Sequence, residues 1–144
     1  MTLLLAAATF LAITPLLAEK VDMNGETLKE TATHIVTGKV LAIYGREVKS
    51  EKWLTSHWVA EVAIDAVEKG EGLEKGGLVY VRYWTRSWIG AGAPPPGTNG
   101  HRGIPTEGQT LRIYAAKNAY DGFSNENTDG GYNVIGANGF EAIK

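Results

Sequence analysis

A chain of 144 residues is the size of one domain and buries roughly two thirds of its unfolded surface, so it needs no disulfide or metal to fold. Cysteine is absent, which excludes disulfides, thiolate zinc sites, iron–sulfur ligation and cysteine nucleophiles. The net charge of −2 and the lack of a block of basic residues argue against nucleic acid or a membrane surface as the partner.

The first residues are typical of a signal for export. Apolar residues dominate positions 3–17, a length that suits the core of a signal peptide and falls short of the roughly 20 residues of a membrane span. A small residue, Ala18, follows this core. We therefore expect residues 1–18 to be cleaved, which leaves residues 19–144 as one domain in the bacterial periplasm or outside the cell, without a membrane span. The alternative is a buried N-terminal helix.

Alternating apolar residues mark the first elements of this domain. Residues 26–30 predict a short helix, and residues 31–44 predict a first strand with Gly38 inside it. A glycine within a strand often marks a bulge or a sharp bend. Residues 45–52 predict a charged turn, and residues 53–68 predict a second strand with one apolar and one polar face.

The middle of the chain predicts a hairpin with an unusually long loop. Residues 78–84 predict a third strand and residues 109–116 a fourth. The loop between them, residues 85–108, holds four of the five prolines and six of the eighteen glycines. Loops above about 12–15 residues are uncommon and are usually functional or disordered. The open question is whether this loop caps the aromatic side chains of the third strand or leaves them exposed.

The C-terminal part predicts a polar turn and a final strand or pair of strands. The turn spans residues 118–131, and the last strands span residues 132–135 and 140–143. Three side chains of the turn imitate the alternating oxygen ligands of a calcium loop: Asn125, Asn127 and Asp129. Gly136 would occupy the twelfth position of that loop, where calcium sites place a bidentate glutamate, so a polar turn is the better interpretation.

Five principal strands without a helix-rich half predict an all-β domain, a small five-stranded antiparallel barrel of the OB type. An immunoglobulin-like sandwich is the alternative, but it usually has about seven strands. The strand pattern of residues 33–40, 62–70 and 77–82 resembles netrin-like and TIMP-like barrels. The inhibitory members act through an N-terminal cysteine, which this chain lacks, so the resemblance implies the fold without protease inhibition. Residues 131–141 resemble the C-terminal part of uncharacterised exported bacterial proteins.

Aromatic and basic side chains gather on the third and fourth predicted strands and at the start of the loop. They are Tyr80, Arg82, Trp84, Trp88, Arg112 and Tyr114. In OB barrels the face of strands two and three binds oligonucleotides or oligosaccharides, because rings stack on bases or sugars and arginine adds planar hydrogen bonds. These residues support the hypothesis of a ligand face for a glycan or a protein. The preferred interpretation is that the long loop folds over these rings and packs against them.

A second hypothesis places a site in the loop, where His101, Arg102 and Glu107 could bind a metal or act as acid and base. The three histidines are scattered in sequence, so we predict no metal site. Nucleophile elbows and phosphate-binding loops are absent, and Glu61 and Asp65 would lie about 14 Å apart on one strand, beyond the spacing of a glycosidase pair. We therefore expect a non-enzymatic binding module without a cofactor. The alternative is a small secreted enzyme or metal-binding protein.

Overall fold

The computed structural model describes residues 21–96, 100–117 and 129–144. The predicted signal peptide, residues 1–18, lies outside the described residues, as does most of the calcium-like turn. None of the helices in the described ranges has the length and apolar composition needed to cross a membrane.

One helix and six strands make up the described structure. In chain order they are α1 (Gly25–Thr31), β1 (His34–Lys49), β2 (Trp53–Lys69), β3 (Leu78–Trp88), β4 (Thr110–Lys117), β5 (Tyr132–Val134) and β6 (Phe140–Ala142). The predicted short helix is confirmed. It begins after Asn24, whose side chain accepts a hydrogen bond from the main-chain N–H of Thr27 at 2.8 Å and so satisfies a donor of the first turn.

Five strands close into an OB-like barrel in the order β1-β2-β3-β5-β4, with β4 pairing back to β1. Strands β5 and β6 both pair with β4, with β5 opposite residues 115–117 and β6 opposite residues 111–113. The predicted fold class is confirmed with one correction, because β3 and β5 run parallel. A ring with an odd number of strands cannot alternate direction throughout, so one pair of neighbours must be parallel.

Strands β1 and β3 are longer than the sequence pattern predicts. The predicted turn at residues 45–52 is wrong in its first half, because Gly45–Lys49 of β1 pairs with β2 and only the next three residues turn. Strand β3 continues to Trp88, four residues beyond its predicted end. These additions carry β1, β2 and β3 past the end of β4 as a three-stranded extension, which we call the arm (residues 42–49, 53–61 and 80–88).

The main core fills the barrel, and a second cluster lies under α1. Valine, isoleucine and leucine side chains from β1 to β4 form the main core, among them Val36, Val62, Val81, Leu111 and Ile113. The second cluster joins the helix to β4 and the β5–β6 connection. Gly38 lies at a register shift of β1, where the strand bends, which confirms the expectation of a bulge at this glycine.

The bend at Gly38 depends on the absence of a side chain. An added carbon there would overlap the main-chain oxygen of Ala63 and press on Val62. We expect Gly38→Ala to lower the free energy of unfolding by about 1–3 kcal/mol, as overpacking does. Gly25→Ala is the matched control, because no atom lies within 4 Å and the site is helical, so its effect should be neutral or favourable by up to about 1 kcal/mol. Urea titration of both variants distinguishes them, and equal stability would contradict this account of the bend.

A buried hydroxyl gives a second test of the core. Tyr83 is 2% exposed, and burial raises its pKa to about 12. Its hydroxyl has no hydrogen-bond partner among the described residues, whereas the hydroxyl of Tyr114 donates to Glu141 at 3.0 Å. We expect Tyr83→Phe to keep the free energy of unfolding or raise it by up to about 1 kcal/mol, and Tyr114→Phe to lower it by about 0.5–1.5 kcal/mol. Guanidinium denaturation measures both, and the reverse order would show that Tyr83 is hydrogen-bonded.

Candidate functional site

The pairing of the arm strands builds one continuous outer face. Side chains alternate along each strand, so residues that pair across β1, β2 and β3 point to the same side. The outer face consists of Tyr44, Arg46, Val48, Trp53, Thr55, His57, Val59, Glu61, Tyr80, Arg82, Trp84, Arg86 and Trp88. The opposite side of the same strands turns toward the barrel interior. The outer face thus combines aromatic rings with basic side chains on a rigid sheet.

Four of the six predicted ligand residues lie on this face. Tyr80, Arg82, Trp84 and Trp88 follow one another along the outer side of β3. The other two, Arg112 and Tyr114, lie on β4, which pairs with β1, β5 and β6 and does not touch β3 in the sheet. The structure therefore divides the predicted site into a β3 row and a separate β4 pair.

The β4 pair takes part in ion pairing and helix packing. Arg112 Nε donates to Glu68 at 2.9 Å and its Nη1 donates to Glu141 at 3.2 Å. These hydrogen bonds raise the pKa of Arg112 above its ordinary value. Tyr114 is buried against Leu28 of α1 and donates to the same Glu141 carboxylate. In this position the two side chains connect β4 with β2, β6 and the helix.

The long loop returns along the edge of β3 and closes the barrel at His101. Gly100 pairs with Thr85, and the neighbouring His101 is 4% exposed. His101 Nδ1 accepts from the main-chain N–H of Trp84 at 3.1 Å, and Nε2 donates to the carbonyl of Val134 at 2.8 Å in the tautomer that satisfies both. The imidazole thereby connects β3 with β5, where the barrel closes.

The other two residues of the predicted loop site face different neighbours. Arg102 forms an ion pair with Asp22 near the start of the described chain. Glu107 lies in an exposed turn next to β1, where the following Gly108 donates to the carbonyl of Val40 at 2.8 Å. The structure therefore does not gather these two with the buried histidine. Within the described ranges, no group of three or more histidine, aspartate or glutamate side chains is placed to hold a metal ion.

The loop covers the centre of the β3 row and also contacts Trp88 at one end. Trp84 is 2% exposed, and an added carbon at Gly100 would lie 2.8 Å from the Trp84 ring. Tyr80 is half exposed at one end of the row, and Trp88 is partly exposed at the other. The loop also contacts Trp88, because Gly92 accepts from its indole N–H at 3.1 Å and an added carbon at Gly90 would lie 2.6 Å from its ring. Neither sequence alternative holds for the whole row, since the loop packs on Trp84 and Trp88 and leaves Tyr80 half exposed.

At the far end of the arm, aromatic rings surround a cation. Trp53 and Trp88 meet edge to face, with ring centroids 5.0 Å apart. The guanidinium carbon of Arg86 lies 5.2 Å from the centre of the Trp53 ring and 5.4 Å from that of Trp84, within cation–π range. Trp53 and Arg86 were not among the predicted site residues. The signal for Arg86 was the continued alternation of aromatic and basic residues from Tyr80 to Trp88, whereas Trp53 is brought to this row by the pairing of β2 with β3.

A cleft of about 370 Å³ occupies the middle of the outer face. Its described lining consists of Tyr44, Gly45, Arg46, His57, Trp58, Val59, Arg82 and Tyr83. None of these described lining residues is acidic. A carboxylate lies beside the cleft at the Tyr80 end of the outer face, where Tyr44 donates to Glu61 at 3.2 Å. This contact raises the pKa of the tyrosine.

Arg82 joins the outer face to the turn before β5. Its two terminal nitrogens donate to the Asp129 carboxylate at 2.6 and 2.7 Å. These bonds, with a further one from the main-chain N–H of Gly131, hold the pKa of Asp129 at about 2. Asp129 is the described member of the calcium-like turn, whose residues 125–128 lie outside the described ranges.

Comparison of the whole chain with protein-family models, with curated proteins and with solved structures gave no match. The outer face of the arm and its chemistry are therefore the basis for assigning a function.

The ion pair of Asp129 predicts a dependence on pH. Its pKa is lowered from 3.8 to about 2 in the folded chain, so its stabilising effect is present above about pH 4 and is lost as the pH falls toward 2. We expect Asp129→Asn to flatten the decline in unfolding free energy between pH 4 and pH 2. Asp65→Asn is the control, because Asp65 is exposed on β2 and has no ion pair among the described residues. Urea titrations across this pH range measure the slope, and an unchanged slope in the Asp129 variant would contradict the prediction.

Proposed function

We propose that the protein is an exported binding module that holds an extended glycan on the outer face of its arm. The observation that carries the proposal is the row of aromatic and basic side chains on β3, flanked by Trp53 of β2 and Tyr44 of β1. Trp88 follows Tyr80 by eight positions, so the two ends of the row lie about 27 Å apart at 3.4 Å per strand residue, with the loop covering Trp84 between them. A face of this length suits an oligomer better than a single small molecule.

The chemistry of the row favours sugars over the other polymers. A pyranose ring has an apolar face that stacks on an aromatic ring and a rim of hydroxyls that bonds to arginine or glutamate. The outer face offers both kinds of group in alternation, with Glu61 among them. Single-stranded nucleic acid needs a continuous basic groove, whereas Asp129 neutralises Arg82 and Glu61 lies on the same face. A protein partner is the competing outcome in a binding experiment.

The location and family parts of the proposal rest on the sequence. Export depends on the signal-like pattern of residues 1–18. The netrin-like and TIMP-like resemblance of the first three strands is compatible with a closed OB-like barrel and stays a prediction. The alternative of an enzyme or metal site in the loop has less support, because both His101 nitrogens bond to main-chain groups and Glu107 lies in a separate turn.

Replacing an exposed ring tests the proposal. We expect Trp88→Ala and Trp53→Ala each to weaken glycan binding about tenfold or more, in the range found when a stacking ring is removed. The probes are neutral and acidic hexasaccharides, and calorimetry measures the affinity. Ile104→Ala is the matched control, because Ile104 is 49% exposed in the loop and does not belong to the outer face.

The melting temperature of each variant separates lost binding from lost folding. Binding that survives both tryptophan substitutions would place the glycan elsewhere on the molecule. Absence of binding by every hexasaccharide would remove the glycan proposal altogether.

A further inference from the structure

We propose that Arg86 selects acidic glycans, by pairing with the carboxylate of a uronic acid unit bound at the far end of the arm. The inference rests on the proposed function and adds the class of sugar that the outer face prefers.

The state of Arg86 carries the inference. Its guanidinium lies against Trp53 and Trp84. Its Nε is buried, and no described residue accepts a hydrogen bond from it. No described carboxylate forms an ion pair with this arginine either. A buried donor without an acceptor is unfavourable by itself. The terminal nitrogens of the same guanidinium are not buried, so the carboxylate of a ligand would pair there with a charge that no described acid neutralises.

Three other arginines of the chain have acidic partners in the described structure. Arg82 pairs with Asp129, Arg102 pairs with Asp22, and Arg112 pairs with two glutamates. Those pairs connect parts of the fold to one another. Arg86 instead lies on the outer face of β3 next to the accessible Trp88, where a ligand can reach it.

The aromatic neighbours prepare Arg86 for a carboxylate. A guanidinium presents a planar fork of donors that matches the two oxygens of a carboxylate. The rings of Trp53 and Trp84 limit the rotamers of the side chain, so less conformational entropy is lost on binding. Trp88, which meets Trp53 edge to face, offers a ring for the sugar that carries the acid.

The carboxylates of the outer face lie away from Arg86. Glu61 lies at the opposite end of the β3 row, across from Tyr80, where Tyr44 donates to it. Asp129 is paired with Arg82, four residues before Arg86 on β3, and neutralises its charge. A uronic acid unit bound at Arg86 is therefore separated from both carboxylates along the strand.

Calorimetry with two matched hexasaccharides tests the inference. We expect the wild-type protein to bind a hexamer of galacturonic acid at least tenfold more tightly than cellohexaose at low salt, and the difference to shrink at high salt. Arg86→Gln should lower the affinity for the acidic hexamer about tenfold and that for cellohexaose by a clearly smaller factor. Arg86→Lys, which keeps the charge without the fork, should restore part of the loss. Arg102→Gln is the control, because it removes an exposed arginine away from the outer face.

Each other result overturns the inference in a distinct way. Equal affinity of the wild type for both hexamers would agree with the proposed glycan-binding function but would contradict the preference for acidic glycans. Equal loss of both ligands in Arg86→Gln would make the arginine a support for the tryptophans. Tighter binding of a sulfated hexasaccharide or of twelve-residue oligothymidylate would assign a different anion. If the wild-type protein binds neither hexamer, the proposed function is wrong as well. If Arg86→Gln does not fold, the comparison of the two hexamers in the wild type and in Arg86→Lys still tests the acidic preference.

Discussion

Every side chain on β2 and β3 takes its position from the register in which these two strands pair. Trp53 lies opposite Trp88 and Ala63 lies opposite Leu78, without an irregularity between them. Since successive residues of a strand point to opposite sides, a slip of one residue would move the whole outer row into the barrel and expose its core. The valines of the barrel interior, such as Val62, stabilise this register because they are buried only when the outer row faces outward. Core formation and the candidate binding face therefore depend on the same pairing.

Trp58 of β2, whose side chain lies on the inner side of the arm, contacts both neighbouring strands. The Trp58 ring lies directly on Gly45 of β1, where any side chain would overlap it. The indole N–H of Trp58 donates to Thr85 of β3 at 3.1 Å, and its ring stacks near Tyr83. One tryptophan thus connects all three strands of the arm from below. This support matters because the arm extends past β4 and has no barrel strand along the free edge of β1.

The closure of the barrel depends on a short parallel ladder, and the loop reinforces it. Strand β5 pairs with β3 through only two residue pairs. His101 adds hydrogen bonds to both strands, and the ion pair of Arg82 with Asp129 adds another connection at the same place. The long loop, which its length and composition marked as a functional segment, therefore also stabilises the fold through His101. A connection of this length is needed because β5, and not β4, lies next to β3.

Local patterns were sufficient to predict the helix, the strands and the OB-like class. The bend at Gly38 was also predictable, since a glycine within a strand has a local meaning. The end of β3 was not, because Thr85 and the polar residues after it form a strand only through their pairing with β2. The separation of Arg112 from the β3 row was not predictable either, since local patterns do not show that β5 lies between β3 and β4 in the sheet. Arg86 went unnoticed for the same reason, because its place on the outer face follows from the extended pairing.

The net charge of a small protein says little about the charge of one face. The chain carries −2 overall, yet the partners of its arginines differ from one part of the structure to another. Arg82 and Arg112 are paired with carboxylates that connect elements of the fold, so their charges are neutralised locally. Arg86 has aromatic neighbours in place of carboxylates, and aromatic rings orient a cation without cancelling its charge. Selection of an acidic glycan by a weakly acidic protein is therefore consistent with its composition, because the selecting charge has no acidic partner among the described residues.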